Sequence, residues 1–511
     1  MPLLRPRWLL APVSFLAAAP LAAQLPPLTV PKNYFRLELS GRFDNWDRMY
    51  FDGIKRDAGG DFIRDPVDSS WLPGLGDIEA RLRALTGAPG LRLSLGRTRS
   101  NLLVNVGTEY FGAAFGLTSR LTLFATVPLV RVRVQPVLRV DSTQATAGFN
   151  PAHPVFGTGG GIGFLSELQS AQLTLDSRIR SGFYDANPAT LALAQAVLAR
   201  VQELSTVLSE ATFLPVAGSA PGLTLTSSID SIRAQLSDSL GIPGLTATPG
   251  LPDAGIPDGG LERFAINPEG PIQAFPFEPP ILRHIGDIEL GAAFAWLDHR
   301  PAGTSLTVRS VLQGTVRLAT GKLDQPESLF DLSAGDRQPD VQADLVTDFG
   351  AGRFGARVTA RYVVQLPVTL MRRLAPPDQP FAPASSLASV ERDPGEIVEG
   401  ILEPWFRIAR HFAITGGVRH WRKPADRYAY AAGQAPILDT SPDVLAIGSR
   451  ENGTALSAGL SFVHDGVRAD GRRGAPLDAT LRGELVVGST EGRVPVKQSI
   501  SLTLRLYPKL F

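Results

Sequence analysis

The stretch Ile500 to Phe511 reads ISLTLRLYPKLF, and within it Ile500, Leu502, Leu504 and Leu506 alternate with Ser501, Thr503 and Arg505. A period of two places the apolar side chains on one face of a strand and the polar ones on the other. Such a strand needs an apolar environment on one side and water on the other. Repeated in segments of about 10 residues between turns, the pattern is that of a transmembrane β-barrel. One segment could equally belong to a soluble sandwich, so the remaining segments decide.

They repeat it. Phe35, Leu37, Leu39 and Phe43 alternate with Arg36, Glu38, Ser40 and Arg42. A second strand is predicted over Leu102 to Gly112, turning at Gly116 to Ser119 into Leu121, Leu123, Ala125 and Val127. Beyond Pro128 the phase inverts: Val130, Val132 and Val134 are apolar, Arg131 and Arg133 polar. A bulge or the membrane rim would produce such a change. Further strands are predicted at Asp287 to Leu297, Leu306 to Ala319, Val341 to Phe349, Phe354 to Val364, Ile397 to Ile408, Phe412 to Trp421, Thr454 to Val463 and Thr480 to Gly488. With the terminal strand they make twelve. The polar stretch Asp44 to Ser100 reads as a surface loop, with strand extension around Ile78 to Leu85.

The connections alternate in length. Short ones fall near Gly116, His299, Gly350 to Arg353, Arg410 and Asp465 to Leu477. Long ones span Asp141 to Arg283, Lys322 to Pro339, Val368 to Gly395 and Lys423 to Gly453. Outer-membrane barrels have short periplasmic turns and long extracellular loops. The fold class expected is therefore all-β, a transmembrane antiparallel barrel of about 12 strands, residues 24–511, with a helical extracellular insertion at residues 141–283.

Compartment and composition agree. The opening MPLLRPRWLLAPVSFLAAAPLAAQ has Arg5 and Arg7 ahead of an apolar run and small residues before Gln24, so residues 1–23 read as a signal peptide cleaved after Ala23. No later segment offers 18 uninterrupted apolar residues, which excludes a helical membrane protein. There are 0 cysteines, so disulfides and thiolate metal sites are out, and the net charge of +1 gives no basic stripe for nucleic acid.

The insertion departs from period two. Asn187 and Pro188 form a helix start, followed by Val197, Val201, Leu204, Leu208 and Ala211 on one face. Ser228 is expected to cap a second helix carrying Ile229, Ile232, Leu236 and Leu240, with Gly241 at its end, and a third covers Ser166 to Arg180. These stripes either pack on one another as a small cap or enter the barrel mouth as a plug. Gly241 to Pro280, rich in Pro and Gly, reads as linker.

Chemistry is sparse. The histidines at 153, 284, 299, 411, 420 and 464 form neither HExxH nor GxSxG patterns. The glycine run Gly157 to Gly163 lacks the Lys-Ser/Thr of a phosphate loop and reads as a hinge. No cofactor and no metal site is expected. The polar faces of the strands carry charge instead: Arg309, Arg317, Arg357, Arg361, Arg419, Arg482 and Arg505, with Glu109, Asp287, Glu289, Asp344, Glu399, Glu403 and Glu484. Asp344 precedes the arginine strand and Glu399 and Glu403 follow it, so cross-strand ion pairs can form. Two roles are open to them, rigidifying a filled interior or lining a polar path and setting its selectivity.

Three stretches, YFGAAFGLTSRLTLFATVPLV (Tyr110 to Val130), HIGDIELGAAFAWL (His284 to Leu297) and LATGKLDQPESLFDLSAGDRQPDV (Leu318 to Val341), resemble a family of outer-membrane transporter-like proteins of the MetA pathway of phenol degradation. Ala319 stands where that family has a proline, and the helical insertion is longer than usual. Phe511 resembles the C-terminal aromatic signal read by the barrel-assembly machinery of bacterial outer membranes. The resemblance implies a channel or transporter in the bacterial outer membrane, surrounded by its lipids, passing small solutes that include hydrophobic compounds. Two alternatives stay open: a surface or structural protein whose lumen is closed by its charges, and an outer-membrane hydrolase built on His420.

Overall fold

A computed structural model describes residues 25–509 apart from 73, 336 and 465–474. The expected signal peptide, the terminal Phe511 and most of the Asp465 to Leu477 link lie outside the described residues.

Twelve antiparallel strands close into one barrel. They are β1 (Phe35–Trp46), β2 (Arg97–Gly116), β3 (Leu121–Asp141), β4 (Glu289–His299), β5 (Leu306–Arg317), β6 (Asp340–Ala351), β7 (Phe354–Gln365), β8 (Ile397–Arg407), β9 (Phe412–Lys423), β10 (Glu451–His464), β11 (Leu477–Glu491) and β12 (Gln498–Leu506). Each pairs with its neighbours in sequence, and β1 pairs with β12 to close the ring. Closure leaves no sheet edge unpaired, as a bilayer demands.

The register shows why the alternation matters. Along the closing seam Leu37 faces Leu506 and Leu39 faces Leu504, while between them Glu38 faces Arg505 and Ser40 faces Thr503. The leucine pairs are exposed and the polar pairs are not. The same exposed apolar set continues round the wall, through Phe294, Leu312, Leu345, Val358, Leu402, Val418, Leu456 and Leu481. A belt of this extent is stable only against hydrocarbon. Near the short turns it ends in paired rings, Phe35 with Phe115, Phe354 with Phe406 and Phe412 with Phe462, at centroid distances of 5.0, 4.7 and 5.0 Å. Aromatic side chains suit such an interface because their bodies are apolar and polarisable. Leu502, paired with Gly41 and Leu481 midway along the closing strands, tests the belt directly. Leu502→Arg is expected to cost about 2–4 kcal/mol in urea titrations of the protein in lipid vesicles; a variant as stable as the parent would place this face away from lipid.

β2 and β3 have 20 and 21 residues against 12 for β5, β6 and β7. They pair without interruption from Gly116 with Thr122 to Arg97 with Asp141. The phase inversion at Pro128 is therefore no bulge. Side chains keep their faces, but the surroundings change as the hairpin leaves the membrane. Below the rim Leu121, Leu123 and Leu129 face outward; above it Arg131 and Arg133 hold that face, and Val132, Val134 and Leu138 turn inward to a protein core.

That core is a helical cap on the long-loop side. It contains α1 (Gly74–Thr86) from the β1–β2 connection, and α2 (Ile162–Arg180), α3 (Pro188–Glu210), α4 (Ala220–Ala234) and α5 (Gly260–Ile266) from the β3–β4 connection. Instead of strand extension, Ile78 to Leu85 forms part of α1, because Leu75, Ile78, Leu82 and Leu85 recur at helical spacing and pack against the other stripes. The carboxylate of Glu79 accepts from Leu93 N–H at 2.8 Å and pairs with Arg83. Asn187 caps α3 as expected, accepting from Ala189 and Thr190 N–H. α4, however, starts at Ser219, whose hydroxyl accepts from Gly222 N–H; Ser228 lies within the helix and donates to the Leu85 carbonyl. α3 is long and apolar enough to cross a membrane, yet it buries Val197, Val201 and Leu204 inside the cap.

The stretch Gly241 to Pro280 is no linker: Ile242, Leu251, Ile256, Phe264, Ile272 and Phe277 are buried in the same core. The glycine run makes a close backbone crossing. Gly161, at φ 81°, opens α2 where its backbone crosses Gly250, and a Cβ on Gly250 would sit 2.4 Å from Gly161 Cα. The crossing requires glycine at both positions.

The cap reaches across the ring from its stalk on β2 and β3. Phe62 and Trp71 from the β1–β2 connection, Phe277 from the β3–β4 connection, Phe330 from β5–β6 and Phe381 from β7–β8 meet in one aromatic cluster. Phe62–Phe330, Trp71–Phe381 and Phe277–Phe330 centroids lie 4.6, 4.9 and 5.1 Å apart. Asp61 pairs with Arg493, between β11 and β12, at 2.5 Å. Four connections from separate parts of the rim thus converge with a fifth, and the cap lies over the mouth.

Candidate functional site

Inside the barrel the polar phase of neighbouring strands builds a continuous ion-pair ladder. Asp344 on β6 pairs with Arg361 on β7 at 2.8 Å, and Arg361 with Glu399 on β8 at 3.1 Å. Glu399 pairs with Arg419 on β9 at 3.1 Å, and Arg419 with Glu484 on β11 at 2.8 Å. Arg482 lies 3.5 Å from Glu484 and pairs back to Glu403 on β8. Directly opposed residues explain the first steps, since Asp344 faces Arg361 and Arg361 faces Glu399 in register.

The last steps skip strands. β10, between β9 and β11, offers Ala455, Ser457, Gly459 and Ser461 on its inner face, all small. Gly417 on β9 leaves the space in which Arg482 and Glu403 meet: a Cβ there would lie 3.6 Å from each side chain and 2.4 Å from Ser457 Oγ. Long side chains therefore cross where short ones make room.

Further pairs continue round the wall. Arg317 bonds Glu289 at 3.2 Å and Asp340 at 2.6 Å. Arg357 pairs with Asp348 at 2.6 Å, and Arg309 with Asp298 at 3.0 Å near the short-turn end. Arg505 joins Glu38 at 2.7 Å and Asp478 at 3.2 Å, closing the seam electrostatically as well as by backbone bonding.

Two of the residues expected in this set lie elsewhere. Glu109 is exposed on the outer wall, in register with Gly41 and Leu129, beside a dent of about 970 Å³. Its neighbour Tyr110 occupies the inward position, so the glutamate belongs to the apolar phase of β2 and breaks the pattern. Asp287 precedes β4; it is buried and accepts from Gly321 N–H at 2.7 Å, holding the β5–β6 connection. His420 also points outward, exposed, with Nδ1 3.0 Å from Thr454 Oγ1. Among the described residues no group of three or more His, Cys, Asp or Glu side chains could hold a metal ion.

A cavity of about 680 Å³ lies against the ladder. It adds residues absent from the sequence-based set: Arg42 and Asp44 of β1, Tyr110, and Lys497 just before β12. Their signal was present in the alternation of β1, where Arg42 follows Glu38 and Ser40 at steps of two. Lys497 stands outside any regular run, and only the fold brings it in, over the Trp46 ring at 5.3 Å.

The chain preceding β1 shares this space. Leu25 and Pro26 line the cavity, and the Pro26 carbonyl accepts from Arg357 at 2.9 Å. Leu28 packs on Ala293, Ala295 and Val311 of the inner wall, and Val30 N–H donates to Thr122 Oγ1 at 2.9 Å. Residues 25–30 thus run inside the barrel.

No protein-family model matches the chain, and no curated protein matches it. Among solved structures it is similar to an outer membrane channel from Pseudomonas putida F1, at 9% identity over 95% of this chain and 100% of that one, with a TM-score of 0.42. It is also similar to the transport unit of the autotransporter AIDA-I from Escherichia coli, at 6% identity over 95% and 93% of the two chains and a TM-score of 0.32. A Pseudomonas aeruginosa FadL homologue is similar at 8% identity over 94% and 91%, with a TM-score of 0.27.

Proposed function

We propose that this protein is a bacterial outer-membrane channel for small molecules, hydrophobic ones among them. One observation carries the reading: a barrel closed on itself has an apolar outer wall and a polar inner wall with space for a solute beside the ladder. A wall apolar outside and charged inside separates lipid from a hydrated path. The cap would admit solutes from the long-loop side, and residues 25–30 would narrow the path from the other. Residues 1–23 would be removed on export, and the barrel-assembly machinery would insert the mature chain.

The same narrowing favours a second reading, a surface protein with a closed lumen. The hydrolase alternative loses its histidine, since His420 faces away from the cavity. Refolded protein in a planar bilayer separates the first two. Discrete current steps are expected, growing when residues 25–30 are replaced by a glycine-serine segment. Absence of current in both forms, with folding verified by heat-modifiable electrophoretic mobility, would assign the chain to the closed class.

A further inference from the structure

The carboxylates of the ladder lie deeper than the arginines they hold, and so does Asp478 beside Arg505, whereas Glu38 at 21% matches Arg505 at 20%. Arg361 keeps 33% of its side chain exposed, against 3% for Asp344 and 8% for Glu399. Arg505 keeps 20% against 1% for Asp478, and Arg419 23% against 12% for Glu484. The acids sit in the wall and the guanidinium groups front the cavity.

The cavity lining follows suit. Six arginines and Lys497 make seven cationic side chains on it, against the four carboxylates Asp44, Glu399, Glu403 and Glu484. Lys497 makes no ion pair among the described residues; its ammonium rests on Trp46. Asp348, the partner of Arg357, is more exposed than its arginine, but it is not among the lining residues whereas Arg357 is. An ion in the cavity therefore meets cations first and their counter-charges behind them, and the nearer charge dominates. Leu25, Pro26, Ile401 and Tyr110 add apolar surface to the same wall.

From this layering we propose that the cavity is a binding site for small organic anions, carboxylates in particular, held by Lys497, Arg42 and Arg357 with the ligand's apolar part against Leu25, Pro26 and Ile401. Guanidinium and ammonium groups bind carboxylates by charge-assisted hydrogen bonds, and the volume exceeds that needed for a single inorganic ion. The proposal rests on the channel reading for its physiological sense, but binding can be measured without current.

Calorimetric titration of the folded protein with benzoate, benzyl alcohol and benzylamine tests it. Benzoate is expected to bind saturably and at least tenfold more tightly than the other two. Lys497→Gln combined with Arg42→Gln should weaken benzoate at least tenfold, and Lys497→Arg should preserve it. Equal affinity for the three probes, or binding of benzoate unchanged in the double variant, would overturn the proposal; the probe series needs no variant to fold. In bilayers the reversal potential in a KCl gradient should show anion preference. Benzoate binding without current would sink the channel reading alone, and current with cation preference would sink the anion site alone.

Discussion

Arg373→Met should enlarge the current steps several-fold and expose the β3–β4 insertion to protease. Arg373 ends the short strand Val368–Arg373 above the rim, and its guanidinium donates to five carbonyls. Nε reaches Pro326 at 3.0 Å; Nη1 reaches Ile272 at 2.5 Å and Ala382 at 2.8 Å; Nη2 reaches Gln273 at 3.2 Å and Glu327 at 3.4 Å. One side chain thus ties the cap's tail to the β5–β6 and β7–β8 connections. Each carbonyl left without a donor costs about 1–3 kcal/mol where water does not replace it, so the local loss should reach at least about 3 kcal/mol. Only a planar fork with five donors fits, and Arg373→Lys should behave more like Met than like the parent. Near Arg373 the cap's tail keeps two other hydrogen bonds to the rim, Ala384 N–H to the Pro271 carbonyl at 2.8 Å and Ser328 Oγ to the Pro276 carbonyl at 3.3 Å, fewer than the five lost. Unchanged conductance together with unchanged proteolysis would mean that the cap is held elsewhere or does not obstruct the mouth.

Glu399→Leu should be the most destabilising single change in the lumen. Its two oxygens hold different arginines, Arg361 through Oε1 and Arg419 through Oε2, so one substitution leaves two cations with a partner missing. Breaking a buried pair costs about 3–5 kcal/mol. The lower end applies here, because Arg361 and Arg419 retain 33% and 23% exposure and water can screen them. Arg419 also stacks on Trp421 at 4.5 Å, so tryptophan emission during urea unfolding reports the loss. Adding Arg361→Leu should recover part of the stability, since the second change removes an unpaired charge. A cost within about 0.5 kcal/mol of zero for Glu399→Leu, the scale of an ordinary surface substitution, would mean the ladder is solvated rather than structural.

How far the sequence anticipated this molecule differs from element to element. Ile500 to Leu506 announces its own faces, because a strand alternates whatever it pairs with, and the same holds for Phe35 to Phe43. Asp344, Arg361 and Glu399 could be matched in advance because they sit on adjacent strands, where register alone brings them together. Arg482 with Glu403 could not: their meeting depends on the small side chains of β10 and on Gly417, two strands of intervening wall. Lys497 and Pro26 reach the cavity from outside any periodic run. Glu109 misleads because one polar residue in the apolar phase looks like part of a lumen.

The cap shows the same division. The stripe of α3 is legible with its cap at Asn187, while local pattern alone takes Ile78 to Leu85 as extended and Gly241 to Pro280 as linker. Their apolar residues are too few, or too interrupted by Pro and Gly, to declare a packing partner until the two connections are brought together. The sequence by itself determined twelve strands, the inner and outer faces of those other than β2 and the side bearing the long loops, since these follow from local periodicity and from the lengths between repeats. Only the tertiary structure decided that acids lie behind arginines, that residues 25–30 run inside the barrel and that five connections meet above the mouth. Those arrangements depend on contacts between residues tens to hundreds of positions apart, made when the ring closes and the cap's buried surfaces find one another.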